Sequence, residues 1–328
     1  IRLVHDVPYT GSRRVDVVGG LLSVLAMGGI VLGILLWQEG GESVLAVLTV
    51  GGAALVSLMY WLRRRKRQGK ATLLDPDLFR SKVFRYGISG QLMQQIALGG
   101  MMIALPIYLQ MVLEYNALKA GLSLAPLSLT MFAVAVVAGK RAAKRRPAGL
   151  IRLGFAILTI GLVLLIPIVP RADSGWWLAV PLVIAGCGLG LLVSQLNNYT
   201  LSPISDERVS EAAGVNSAAG SFGLSFGLAF AGAIMLATLS LSFTSLATSS
   251  TVLSPAQQQQ VAHALETDAQ IMSNTQLEEQ LASHPEKVQN EIIRINTDAR
   301  HLALQIALLI PILAGALAPA PWVLATLL

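Results

Sequence analysis

Charged residues are scarce in this sequence, and its long apolar runs contain no acidic residue near their middle. Asp, Glu, Lys and Arg make up 13% of the 328 residues, hydrophobic residues make up 54%, and the mean hydropathy is +0.64. A chain this apolar is not expected to be a soluble globular domain. Because acids are missing from the apolar runs, the sequence offers no obvious titrating carboxylate for proton movement.

Cysteine and histidine are also sparse. The single cysteine, Cys187, lies inside an apolar run, so neither an intrachain disulfide nor a cysteine-based metal site is expected. The histidines lie in connectors or at the edge of an apolar run: His5, His263, His284 and His301. No nucleophile and base pair, phosphate-cradling loop or ligand cluster stands out. The sequence therefore indicates no catalytic residue, no cofactor, no metal site and no enzyme.

The net charge of +6 is distributed in short basic runs between apolar segments. This distribution is typical of the cytoplasmic loops of membrane proteins, not of a nucleic-acid-binding surface. We therefore expect the lipid bilayer, and no nucleic acid, as a partner of this chain.

Eight apolar segments reach the roughly 20 residues that a helix needs to cross a bilayer. The predicted spans are residues 17–37, 44–62, 84–113, 121–138, 150–169, 176–201, 212–243 and 302 to about 317. The sequence thus predicts an all-α, multi-pass membrane protein with eight transmembrane helices.

Lys and Arg in the connectors predict the orientation of these helices. Basic residues crowd connectors 63–70 and 140–146, and Arg13 and Arg14 precede the first span. Because short cytoplasmic loops are rich in Lys and Arg, these three segments are predicted to lie in the cytoplasm. The connector after span six is net acidic and gives the rule no support. An even number of spans then places both termini on the cytoplasmic side of the cytoplasmic membrane.

The hydrophilic segment 244–297 is predicted to lie outside and to be helical. Ser254 before Pro255 is a helix-start signal, and Thr275 with Glu278 and Ser283 with Glu286 have capping-box spacing. Two interpretations remain open for this segment. It is either a solvated helical linker or a lid over the outer mouth of a transporter.

Amide side chains inside the spans are the main candidates for substrate contact, because such groups need a partner or a wet cavity. The substrate-binding candidates are Gln91, Gln94, Gln95, Gln110, Gln195 and Asn198. At 1.5 Å per residue, Gln91 and Gln195 lie at the same depth from the cytoplasmic side. The amides either line a shared inward-facing vestibule or bond across a tight helix interface.

Glycines are the second group of candidates in the spans. The helix-packing or conformational candidates are Gly186, Gly188, Gly190, Gly220, Gly223 and Gly227. Gly223 and Gly227 have the small-xxx-small spacing that lets helix backbones approach closely. This pattern fits static packing, and it also fits helices that rock against each other during alternating access.

Four stretches carry a resemblance to a known family. They are SRRVDVVGGLL (12–22), IALPIYLQMVLEYNALKAGLSLAP (103–126), GCGLGLL (186–192) and ISDERVSEAAGVNSAAGSFGLSFGLAFAGAI (204–234). Together they resemble the carboxy-terminal part of the fourteen-helix drug:proton antiporters of the major facilitator superfamily, a multidrug exporter type found in actinobacteria.

The resemblance implies a division of the chain and a missing partner. Its segments are a cytoplasmic linker (1–15), two central helices with a basic loop (16–70), five helices of the carboxy-terminal bundle (71–243), an extracytoplasmic helical loop (244–297) and the last transmembrane helix (298–328). The amino-terminal six-helix bundle is then absent, so the fragment alone should not transport. The chain departs from the family where Ala142 and Ala143 replace an expected aspartate in 139–149, and its end lacks the expected polar tail.

The resemblance also implies a function, namely proton-coupled efflux of amphiphilic or lipophilic small molecules by a secondary transporter. The proton-coupling residue would then lie in the absent half. The alternative from another class is a non-transporting membrane assembly or sensor subunit that binds a partner through the 244–297 segment.

Overall fold

A computed structural model describes residues 16–38, 43–70, 72–141, 146–267, 274–282 and 284–318. The linker 1–15, the predicted helix-capping residue Ser283, the chain end after residue 318 and most of the basic connector at 140–146 lie outside the described residues.

The described part of the chain contains ten α-helices. They are α1 (Val17–Gln38), α2 (Val44–Arg67), α3 (Lys82–Met111), α4 (Ala117–Arg141), α5 (Pro147–Ile168), α6 (Ala179–Leu201), α7 (Val209–Thr248), α8 (Pro255–Thr267), α9 (Asn274–Leu281) and α10 (Glu286–Leu317). Eight of them, all but α8 and α9, are long and apolar enough to cross a membrane. The predicted all-α class with eight spanning helices is confirmed.

Several helices extend well beyond the predicted spans. The last predicted span begins at residue 302, whereas the helix that contains it, α10, begins at Glu286. Similarly, α2 continues to Arg67 through the basic residues. Hydropathy falls at the lipid boundary, whereas backbone hydrogen bonding continues into water. At 40 residues, α7 is about 60 Å long, roughly twice the thickness of the hydrocarbon core.

The spanning helices pack in two groups joined at the centre. In the first group α3 packs against α7 and α10, and in the second α6 lies between α4 and α5. Contacts of α3 with α6 and of α10 with α5 join the groups, while α1 and α2 form a hairpin that packs on α7 through α1. We call the end that carries connector 63–70 the basic end, and the opposite end the far end.

The far end carries the two short helices. We call α8, α9 and residues 249–254 before α8 the cap. Its apolar residues Leu253 and Leu277 are buried in the same core as the spanning helices. Such packing differs from that of a fully solvated linker.

Of the two predicted helix-start signals in the cap, one is confirmed and the other is not. Helix α8 begins at Pro255, as predicted, and Ser254 bonds Gln257 through both its backbone nitrogen and its hydroxyl. The predicted capping box of Thr275 with Glu278 was wrong. Thr275 instead donates from its backbone nitrogen to Glu114, 2.8 Å away in the turn between α3 and α4. A tertiary acceptor has thus replaced the local one.

Candidate functional site

Five of the six candidate glycines, all but Gly220, lie where the backbone of a neighbouring helix approaches closely. A Cβ on Gly227 would lie 2.4 Å from the carbonyl oxygen of Ile96 on α3. Gly186 and Gly190 face α4 in the same way, and Gly188 faces α5. Because real Cβ atoms do not approach a backbone oxygen so closely, these helix pairs require glycine.

Gly220, Gly223 and Gly227 form a stripe along α7. Two of the candidate glutamines lie beside it. The Nε2 atom of Gln91 lies 3.0 Å from the Cβ position of Gly220, and the Cβ atom of Gln95 lies 3.1 Å from that of Gly223. Both glutamines are half-buried. Glycine at these positions of α7 therefore leaves room for an amide side chain between the two helices.

The stripe on α7 continues one turn toward the basic end as Asn216. Its Nδ2 donates to Oδ1 of Asn197 on α6, at 3.0 Å. We call Gln91, Gln95, Asn197 and Asn216 the polar strip. Neither asparagine of the strip was among the sequence candidates. The signal that could have found Asn216 is its helical spacing with Gly220 and Gly223.

Some amide oxygens of the strip have no partner among the described residues. The Oε1 of Gln95 and the Oδ1 of Asn216 are both buried without a hydrogen bond there. A buried acceptor in this state costs about 1–3 kcal/mol, which a water or a ligand donor would recover. The strip can therefore accept hydrogen bonds from a bound molecule.

The other four candidates lie elsewhere. Gln94 is buried, and two turns before it Gly87 contacts Thr200, so Gln94 lies on the side of α3 that faces α6. Gln195 is buried and donates from Nε2 to the hydroxyl of Ser194 at 3.2 Å and to the carbonyl of Ala138 on α4 at 3.5 Å.

The remaining two, Asn198 and Gln110, are exposed. Asn198 lies next to Asn197 near the basic end, whereas Gln110 lies near the far end and donates to the Pro106 carbonyl at 3.2 Å. The structure thus brings Gln91 and Gln95 to one strip. The contacts of Gln195 join α6 to α4, not to that strip.

A charged cluster at the basic end holds the hairpin and the bundle together. Lys66 of α2 pairs with Asp75 and Asp77, while Arg208 pairs with Asp75 at 2.8 Å and with Glu211 of α7 at 3.4 Å. We call these five residues the clasp. Desolvation opposes ionisation of Asp75, but its bonds to Lys66 and the Asp77 nitrogen, with the charge of Arg208, outweigh it and hold its pKa below the usual value.

Asp16 forms a second junction beside the clasp. Its carboxylate accepts hydrogen bonds from the backbone nitrogens of Gly19 and Leu73, at 3.0 and 3.2 Å, and from the Trp61 indole at 3.1 Å. Burial opposes ionisation, but these bonds and the charge of Arg65 outweigh it, so the pKa of Asp16 lies below its usual value. Asp16 thereby ties α1, α2 and the segment before α3 together.

The chain is similar to a described family and to several curated proteins. Residues 15–228 match the family described as Major Facilitator Superfamily. The "Probable actinorhodin transporter" of Streptomyces coelicolor is 25% identical over 231 residues, which cover 69% of this chain and 40% of that protein. The "Multidrug resistance protein Stp" of Mycobacterium tuberculosis is 28% identical over 231 residues, covering 70% and 42%.

A third relative comes from an enteric bacterium. The "Putative multidrug resistance protein MdtD" of Salmonella heidelberg is 30% identical over 235 residues, which cover 68% of this chain and 47% of that protein. The chain therefore spans less than half the length of these three relatives.

Proposed function

Since the family match covers residues 15–228, the chain belongs to the major facilitator superfamily, and we propose that it forms part of a secondary transporter that exports amphiphilic or lipophilic small molecules. The names of its relatives, an actinorhodin transporter and two multidrug resistance proteins, support a role in drug transport. Proton entry across the cytoplasmic membrane would drive the export.

The polar strip is the proposed substrate contact of this chain. The observation that carries this assignment is the pair of buried, unpartnered amide oxygens on Gln95 and Asn216. They lie between α3, α6 and α7, beside helix contacts close enough to need glycine. An amphiphile with a donor group would satisfy these oxygens, and its apolar body would contact the neighbouring spans.

A second bundle would supply the opposite wall of the cavity. Alternating access requires two bundles that rock about a central site, and this chain provides one bundle with a two-helix hairpin. In the span of α4 only 6% of the residues are buried, and its large exposed residues include Leu122, Leu129 and Phe132. This face would pack against the amino-terminal six-helix bundle and lipid.

The proton-coupling carboxylate would also belong to the other bundle. Among the described acids, Asp16, Asp75 and Glu211 are bonded within the junctions of the basic end, and Glu114 bonds the cap. Their positions at helix ends do not suit a carboxylate that meets protons from both sides of the membrane. The basic end would face the cytoplasm, as the positive-inside rule predicts.

Export by the complete protein in proteoliposomes tests this function. We expect Gln95→Leu and Asn216→Leu to lower proton-driven export of a fluorescent amphiphile by about tenfold each. Each variant removes an amide oxygen that would accept a hydrogen bond from the substrate. Gln110→Leu is the matched control, since Gln110 is exposed near the far end and should retain transport. Unchanged export in both strip variants would refute the assignment of the strip, and export without dependence on a proton gradient would refute the coupling.

A further inference from the structure

Arg152, in the first turns of α5, has a buried donor without an acceptor. It lies five residues after Pro147, about 8 Å into the helix from the basic end. Its Nε is buried, and no hydrogen-bond acceptor for it exists among the described residues. A guanidinium is always charged, and all its nitrogens donate. The missing partner of Arg152 is therefore an acceptor, and an anion suits it best.

One tyrosine from another helix interacts electrostatically with this guanidinium, and a second tyrosine interacts with the first. Tyr199 of α6 is within electrostatic range of Arg152, and Tyr86 of α3 is within range of Tyr199. Tyr86 lies four residues after Lys82, and Tyr199 lies two residues before Leu201, so all three side chains belong to the basic end. Tyrosine at this depth is typical of the membrane interface, where headgroups lie.

Four acids of the basic end bond to other cations, while the exposed Asp206 takes part in none of the ion pairs among the described residues. Asp16 pairs with Arg65, Asp75 and Asp77 pair with Lys66, and Glu211 pairs with Arg208. None of the ion pairs among the described residues includes Arg152. The exposed Arg146 at the start of α5 adds a second positive charge six residues earlier.

We propose that Arg152, beside Tyr199, binds a phosphate group at the basic end of the bundle. The planar fork of arginine matches the geometry of phosphate oxygens, and a cation at interface depth attracts anionic headgroups. The phosphate has two potential sources, an anionic phospholipid of the adjoining leaflet or free phosphate in solution. Phosphate binding here does not require that the polar strip contacts a substrate.

Binding of defined lipids to the complete purified protein tests this site. Native mass spectrometry measures the binding of phosphatidylglycerol and of phosphatidylcholine, which carries the same phosphate with a compensating positive charge. For a lipid source we expect phosphatidylglycerol to bind more tightly, and Arg152→Gln to weaken its binding by about tenfold, as for loss of one charge-assisted hydrogen bond. Arg63→Gln is the matched control, because Arg63 is an exposed arginine of the basic end on α2.

A thermal-unfolding arm with inorganic phosphate separates the two sources. Stabilisation by phosphate alone that disappears in Arg152→Gln, without preference for phosphatidylglycerol, would assign the site to free phosphate. If Arg152→Gln does not give folded protein, Arg152→Lys replaces it, and a binding loss larger than that of Arg63→Gln is expected because lysine lacks the planar fork. Equal binding of both probes by the wild type and the Arg152 variant, or an equal loss in Arg63→Gln, would overturn the proposal.

Discussion

At the scale of single residues, glycines of the same helix differ in what surrounds them. A Cβ on Gly227 would meet the backbone of Ile96 at 2.4 Å, whereas one on Gly220 would meet only the end of the Gln91 side chain at 3.0 Å. A Cβ on Gly214 would have no neighbour within 4 Å among the described residues. These differences predict how strongly a substitution at each of the three positions should destabilise the protein.

Substitution of these glycines by alanine tests the ranking. We expect Gly227→Ala to destabilise the protein by on the order of 2 kcal/mol, because α3 and α7 must move apart. Gly214→Ala should be neutral or should stabilise by up to about 1 kcal/mol, since alanine is the better helix former. Gly220→Ala should lie between them, because Gln91 can move. Unfolding temperatures in detergent check this order, and equal effects at Gly227 and Gly214 would contradict it.

The sequence identified which helices carry amide side chains more reliably than which side of each helix faces another polar group. Gln91 and Gln95 were among the candidates and lie on the polar strip, but Asn198 was chosen where its neighbour Asn197 bonds across to α7. Asn216 was not selected, although it continues the glycine spacing. Adjacent amides on a helix differ by about 100° in direction, and only the packing of neighbouring helices decides which of them faces another polar group.

At the scale of elements, the clasp joins the α1–α2 hairpin to the bundle. We expect Asp75→Asn to destabilise the protein by on the order of 1 kcal/mol, because the clasp residues are partly exposed and each ion pair contributes little. Its bonds to both Lys66 and Arg208 are weakened at once. Thermal unfolding measures the change. The control Asp173→Asn removes an exposed acid at the far end and should have a smaller effect.

The lowered pKa of Asp75 sets the pH dependence of this effect. A carboxyl group whose pKa is lower in the folded state adds stability above its unfolded pKa of about 3.9, and this stability is lost as the pH falls through the folded value. The difference in unfolding temperature between the wild type and Asp75→Asn should therefore be constant from pH 8 to about pH 5 and should shrink below about pH 4. A difference that already shrinks between pH 7 and pH 6 would contradict the lowered pKa.

Glu114, in the turn between α3 and α4, bonds the start of α9. Glu114 accepts hydrogen bonds from the backbone nitrogen and the hydroxyl of Thr275, and its own φ of 52° holds the turn between α3 and α4 in the left-handed region. A negative charge at a helix start contributes up to about 1 kcal/mol. We expect Glu114→Gln to raise hydrogen exchange in α9 by up to about fivefold, because it removes that charge with little change of shape. Glu279→Gln, an exposed position of α9, is the control, and an equal increase there would refute the specific contact.

At the scale of the whole molecule, hydropathy predicted the number of spanning helices because each must hide its backbone polar groups from lipid. The same pattern could not predict that α10 begins at Glu286 or that α7 has 40 residues, since water tolerates helix and loop alike. Hydropathy also could not predict which helices pack together. The partners of Gly99 and Gly227 lie on helices distant in sequence, and close contact at each is a property of both surfaces.

The orientation of the molecule in the membrane is the prediction with the widest consequences. Residue Cys187 is the only cysteine, so Cys187→Ser gives a background for single-cysteine labelling. Gln68 lies exposed at the basic end of α2, and Glu279 lies exposed in the cap. Because basic connectors remain in the cytoplasm, we expect a membrane-impermeant maleimide to label Glu279→Cys in intact cells and Gln68→Cys only after permeabilisation.

The opposite labelling pattern would show that the molecule has the inverted orientation in the membrane, with the same internal contacts. Labelling of Gln68→Cys in intact cells would place the clasp outside the cell and the cap in the cytoplasm. The polar strip, which lies nearer the basic end, would then open first to the outside, and export would no longer be the expected direction of transport. Labelling of both positions before permeabilisation would instead contradict the number of spanning helices between α2 and α9. Five described helices between the two sites, α3 to α7, are long and apolar enough to cross the membrane, and an odd number of crossings places the sites on opposite sides.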